Sequence, residues 1–99
     1  MSSCIKRLAE ITSQCLTHGE LYCISDANDK IIAGVAACEF EIRPYKKDGS
    51  WLVSLHEFGR GTVYEEYHLA TELEACIKFI EMTEDEYHLS GYLSEFNKS

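Results

Sequence analysis

The sequence predicts an α+β domain, an antiparallel four-stranded sheet with an N-terminal helix and one or two C-terminal helices packed on one face. Three observations predict it. Apolar residues recur at helical spacing near the start of the chain and again after Thr71. Between those stretches lie four segments rich in β-branched and aromatic residues, with apolar and polar positions alternating. The connections separating them are short, polar or glycine-bearing, which suits hairpins and an antiparallel sheet. Residues 1–99 are read as one domain.

From Ser3 to Leu16, Cys4, Leu8, Ile11 and Cys15, joined by Ile5 and Leu16, form one apolar stripe. Ser2 or Ser3 can cap this helix, and His18-Gly19 can stop it. Leu21 to Ile24 reads as a short strand, Asp26 to Lys30 as a turn, and Ile31 to Arg43 as one long strand with a bulge or bend at Gly34. Within it Cys38, Phe40 and Ile42 alternate with Glu39, Glu41 and Arg43, so one face should meet the core and the other water. Pro44 ends the strand and Lys46 to Ser50 turns the chain. Trp51 to His56 is the third strand, Glu57 to Gly61 a wide turn, and Thr62 to His68 the fourth strand. Thr71-Glu72-Leu73-Glu74 is a capping box opening a second helix through Leu73, Cys76, Ile77 and Ile80. Thr83-Glu84-Asp85-Glu86 repeats that logic before a short final helix with Tyr87, Leu89, Tyr92 and Leu93, weakened by Gly91.

Charge is distributed unevenly. Residues 1–56 carry seven acids and six bases, whereas residues 57–99 carry ten acids and three bases, so nearly all of the net −8 lies in the second part. A concentrated negative field attracts a cationic partner and speeds encounter. The same balance argues against direct contact with nucleic acid or an anionic membrane, which need a basic patch. No run approaches the ~18 apolar residues of a membrane span, so a cytoplasmic location is expected. The five cysteines, Cys4, Cys15, Cys23, Cys38 and Cys76, are scattered through apolar segments and read as reduced thiols.

The sequence contains no complete motif for chemistry. Asp26-x-Asn28-x-Lys30 puts lysine at a ligand position of a calcium loop and Ile31 at its glycine. No paired Cys or His spacing suits zinc. Cys15 and His18 lie three apart on the first helix, but Cys15 belongs to the apolar stripe, where a thiol is inert. No nucleophile elbow, phosphate loop or dinucleotide fingerprint occurs, so no catalytic residue, metal or cofactor is assigned.

The segment Thr62 to His68 is more telling. If Val63 and Tyr67 face the helices, then Tyr64, Glu66 and His68 point away from them, beside a strand bearing either Glu39 and Glu41 or Leu52, Ser54 and His56. Tyrosine beside carboxylate offers amphipathic contact area and acceptors for Arg and Lys. The plainer reading is a solvated face whose acids aid solubility. The partner-binding candidates are Glu57, Tyr64, Glu66, Tyr67, His68 and Glu72.

Trp51-x-Val53 on a strand, Glu57-x-Gly59 at a turn and Thr71-Glu72-x-Glu74-Ala75-Cys76 opening a helix cover about a third of the chain. In these residues it resembles small bacterial immunity proteins of polymorphic toxin and contact-dependent growth inhibition systems. The resemblance implies a cytosolic, non-enzymatic inhibitor of one cognate toxin domain, often a basic nuclease. Two other readings stand beside it: a phage-type nucleic-acid mimic that blocks a defence nuclease, and a small ligand-binding or enzymatic domain using Cys15, His18, His56 or His68. Exposed edge strands and the tyrosine-bearing final segment leave room for a homodimer.

Overall fold

The computed structural model describes residues 4–14, 22–25, 30–35, 38–45, 49–57 and 61–96. The first helix, α1 (Cys4–Gln14), precedes five strands, β1 (Tyr22–Ser25), β2 (Ile31–Val35), β3 (Cys38–Pro44), β4 (Trp51–Glu57) and β5 (Val63–Leu69). Then come α2 (Glu72–Met82), α3 (Glu84–Tyr87), a 3₁₀ turn over Ser90–Tyr92 and α4 (Leu93–Phe96). The strands form one antiparallel meander in chain order. This is the expected α+β arrangement, and the helices cover one face, α1 over β1 and β2, α2 over β3 to β5.

The strand count is a correction. Ile31 to Arg43 is two strands, because Val35 pairs with Cys38 and the chain doubles back between them. That folding keeps the alternation intact: Ile31 lies opposite Ile42 and Ala33 opposite Phe40, all four buried on the helix side. Val53 and Trp51 on β4 extend the same layer. Ile5, Leu8 and Ile11 of α1 and Ala75, Cys76, Phe79 and Ile80 of α2 close over it, each large side chain adding roughly 1.5–3 kcal/mol by leaving water.

Two polar groups at this core find partners. The Thr12 hydroxyl donates to the Leu8 carbonyl at 2.7 Å, and the Ile5 amide, a first-turn donor of α1, donates to Glu72 Oε2 at 2.8 Å. Cysteines behave as small apolar residues here. Burial, then the charge of Glu72, raises the Cys4 thiol pKa, and burial alone dominates the stronger rise at Cys76. Neither thiol is poised to react. Ser2, Ser3, Cys15, Leu16, His18, Gly19, Leu21, residues 26–29 of the expected hairpin turn, and residues 46–48 and 58–60 of the two later turns lie outside the described residues.

The Thr71 cap forms as expected, its oxygen accepting from the Glu74 amide at 3.1 Å. The Glu74 carboxylate accepts from the Thr71 hydroxyl at 3.2 Å instead of from the Thr71 amide. Thr83 does not repeat that cap. Its buried hydroxyl donates backward to the Phe79 carbonyl at 2.8 Å, which ends α2. The single short helix expected after it is broken into three turns, with His88 in the left-handed region at φ 56°. Tyr87 holds this segment in place, its buried hydroxyl donating to the Gly34 carbonyl of β2 at 2.7 Å. Arg7 of α1 ties down α4, bonding Glu95 Oε1 at 3.1 Å and standing 5.8 Å above the Tyr92 ring.

Candidate functional site

Alternation places Ile32, Glu39, Glu41, Arg43, Leu52, Ser54, His56, Glu66 and His68 on the sheet face turned away from α1 and α2. Across β3 and β4, Glu39 lies opposite His56 and Glu41 opposite Ser54. Across β4 and β5, Ser54 lies opposite Glu66 and Leu52 opposite His68. The face therefore has a centre and an edge, and they differ.

The centre is desolvated. Glu39 and Glu41, expected to meet water, are only 8% and 4% exposed. They lie against His56, whose Nδ1 is 3.8 Å from Glu39 Oε1 and whose Nε2 is 3.5 Å from Glu41 Oε1. Lys30 Nζ and Arg43 Nε approach Glu41 Oε2 at 3.8 and 3.9 Å. A carboxylate removed from water needs such cations and dipoles around it. The His56 ring also meets the Glu57 carbonyl through Nδ1 at 3.1 Å. This histidine is enclosed by its acids, not presented to a ligand.

The edge is exposed. Residues 61–66 and 68 all face solvent, and among the described residues β5 has no strand on its outer side. Opposite His56 the pairing slips: Leu55 meets Glu65, His56 meets Val63, and Tyr64 is the extra residue of a β-bulge. The bulge corrects the expected orientation of Val63. It falls opposite His56 on the open face, and Val63 and Tyr64 are 53% and 54% exposed. Beside them Glu66 Oε1 lies 3.2 Å from His68 Nε2, and the His68 ring meets Tyr45 edge-on at 4.6 Å.

Of the six sequence candidates, Tyr64, Glu66 and His68 come together on this edge. Glu57 ends β4 near the same corner, where its carboxylate approaches Gly61 so closely that a Cβ there would collide with it. Tyr67 faces the helix layer, with Lys78 Nζ 4.0 Å above its ring and its hydroxyl donating to Glu65 Oε1 at 2.8 Å. That bond raises the phenol pKa and keeps it a donor. Glu72 is elsewhere, occupied with the first turn of α1.

Three residues were missed from sequence. Tyr45 falls in register with Arg43 once β3 is drawn as a strand, a signal available from alternation alone. Val63 was hidden by the bulge, and Glu65 by the choice of one face of β5 only. Among the described residues no group of His, Cys, Asp and Glu side chains is arranged to hold a metal, and no helix is long and apolar enough to cross a membrane.

No family model, curated protein or solved structure matches this chain.

Proposed function

We propose that this protein is a non-enzymatic, cytoplasmic immunity protein that binds and neutralises a cognate basic toxin domain of the nuclease type, and that the exposed side of β5 is where it binds. The observation carrying the reading is the solvent-facing set Tyr64, Glu66 and His68 beside Val63, an aromatic and apolar anchor set among acids. The excess negative charge of residues 57–99 supplies the long-range attraction. Glu57 belongs to the same corner, whereas Tyr67 and Glu72 serve the fold.

The burial of Glu39 and Glu41 disfavours a nucleic-acid mimic. Such a surface needs acids displayed in succession like phosphates, and these two are folded against His56, Lys30 and Arg43. An enzymatic reading gains nothing from His56 for the same reason.

The test takes as candidate toxin the C-terminal domain of whatever protein the gene immediately upstream encodes, mixed with the purified protein and, separately, expressed with it in cells. Glu66→Lys should slow association, most of all at low salt, and Tyr64→Ala should speed dissociation. Undiminished binding and growth protection in both variants would remove β5 as the site. Absence of any binding by the unaltered protein would remove the immunity reading itself.

A further inference from the structure

The sheet has two edges, and the one formed by β5 is long and exposed. β1 spans four residues and lies beneath α1, whereas β5 spans seven and protrudes along nearly its whole length. In an antiparallel pair, alternate N–H and C=O groups of the outer strand point away from its neighbour. Among the described residues, no turn, loop or side-chain hydrogen bond engages a backbone group of Val63–Leu69. Such an edge is a template for another strand, and proteins guard it with charge or bulges. Here the bulge lies at Val63 and Tyr64, and the guards are Glu65 and Glu66.

The sign of those guards favours a basic occupant. A second copy pairing antiparallel along β5 about Glu66 would set the two Glu66 side chains opposite each other, and centring the pair between Glu65 and Glu66 would set Glu65 opposite Glu66. Like charges directly opposite are destabilising. An extended segment carrying Lys or Arg meets the reverse situation. Glu65 and Glu66 are adjacent, so they project from opposite faces of the sheet. Two consecutive basic residues in an added strand would likewise project from opposite faces, each beside one glutamate. On the open face Tyr64 and Val63 then flank the segment, and on the helix side Tyr67 does.

We infer that the outer edge of β5 takes up an extended segment of a protein partner as a sixth strand, and that it selects for two consecutive basic residues lying against Glu65 and Glu66. The inference deepens the binding reading above and rests on it for the identity of the partner, but not for the recognition itself.

The probe is a short peptide of alternating Thr and Val with a central Arg-Lys pair, titrated against the whole protein. Two further peptides carry N-methyl groups on alternate backbone amides, one on the odd set and one on the even set. Strand addition uses only one edge of the peptide, so one methylated version should lose binding and the other retain it. Amide hydrogen exchange should slow within Val63–Leu69 when the parent peptide is bound. Exchanging the central pair for Glu-Glu, or making Glu66→Lys, should weaken binding about tenfold or more, the scale of a lost charge-assisted contact. If Glu66→Lys does not fold, the methylated peptides decide alone. Equal binding of both methylated peptides, unchanged exchange across β5, or no binding of the parent peptide overturns the inference. Toxin binding that leaves β5 exchange unchanged overturns strand addition and keeps the immunity reading; peptide binding without toxin binding does the opposite.

Discussion

Two pairs of glutamates stand on strands of the same sheet, and the structure treats them in opposite ways. Glu39 and Glu41 on β3 are shut away from water among His56, Lys30 and Arg43, while Glu65 and Glu66 on β5 face solvent. Residue type is the same, and so is strand context. What differs is distance from the edge: β3 has a strand on each side, so side chains from β2 and β4 crowd its acids, and among the described residues β5 has a strand on one side only. A desolvated carboxylate must be compensated inside the protein, and the groups that do so are then committed to the fold. An edge carboxylate keeps its water and stays available to an incoming cation. Central acids are therefore committed to the fold, whereas edge acids stay open to solvent.

The largest expected effect tests the central half of that contrast. His56→Leu replaces the ring lying against Glu39 and Glu41 with an apolar side chain beside two buried carboxylates, which should cost about 3 kcal/mol. Urea denaturation should show a lower midpoint with an unchanged slope. A shift near zero would mean the two carboxylates tolerate each other, and the contrast would lose its physical basis. Next in size is Tyr87→Phe, which deprives the buried Gly34 carbonyl of a 2.7 Å donor and should cost about 1–2 kcal/mol. Thermal unfolding of that variant asks whether the core side of the central strands is as demanding as the polar side. Thr71→Ala, at the exit from the edge strand, removes the oxygen that caps α2 and should cost about 1 kcal/mol by the same assay.

Much of this arrangement can be read from residues. The α+β class, the order of elements and the Thr71 cap follow from periodicity and local chemistry. The fifth strand was not legible, because Val35-Ala36-Ala37-Cys38 is apolar throughout and lacks the Gly, Asn, Asp or Pro that marks a turn. Gly34, at which the sequence suggests a bend, instead supplies the carbonyl that receives Tyr87 from 53 residues away. Alternation assigned Glu39 and Glu41 to the correct face but carries no information on depth, which depends on neighbours brought in by the sheet. The candidate site divided along the same line. Tyr64, Glu66 and His68 share a face because their spacing is local, whereas Glu72 reaches the Ile5 amide across 67 residues and no local pattern announces that.

The smallest stability effect carries the most information about function. Glu66→Ala removes an exposed carboxylate whose neighbour is an exposed histidine, and surface pairs of this kind contribute about 0–1 kcal/mol. Its unfolding midpoint should lie almost on that of the unaltered protein. Association with the toxin domain should nevertheless slow, and the difference should shrink as salt is raised, because a steering charge is screened over about 8–10 Å at ordinary ionic strength. Stability and recognition then separate at one residue: Glu66 would matter to the partner and hardly to the fold, the reverse of His56. A Glu66→Ala variant that unfolds as readily as His56→Leu would erase that separation. A variant that keeps both its stability and its salt-dependent association rate would place the recognition charge elsewhere among the acids of residues 57–99, with Glu57 and Glu65 on the same corner and strand the next to replace.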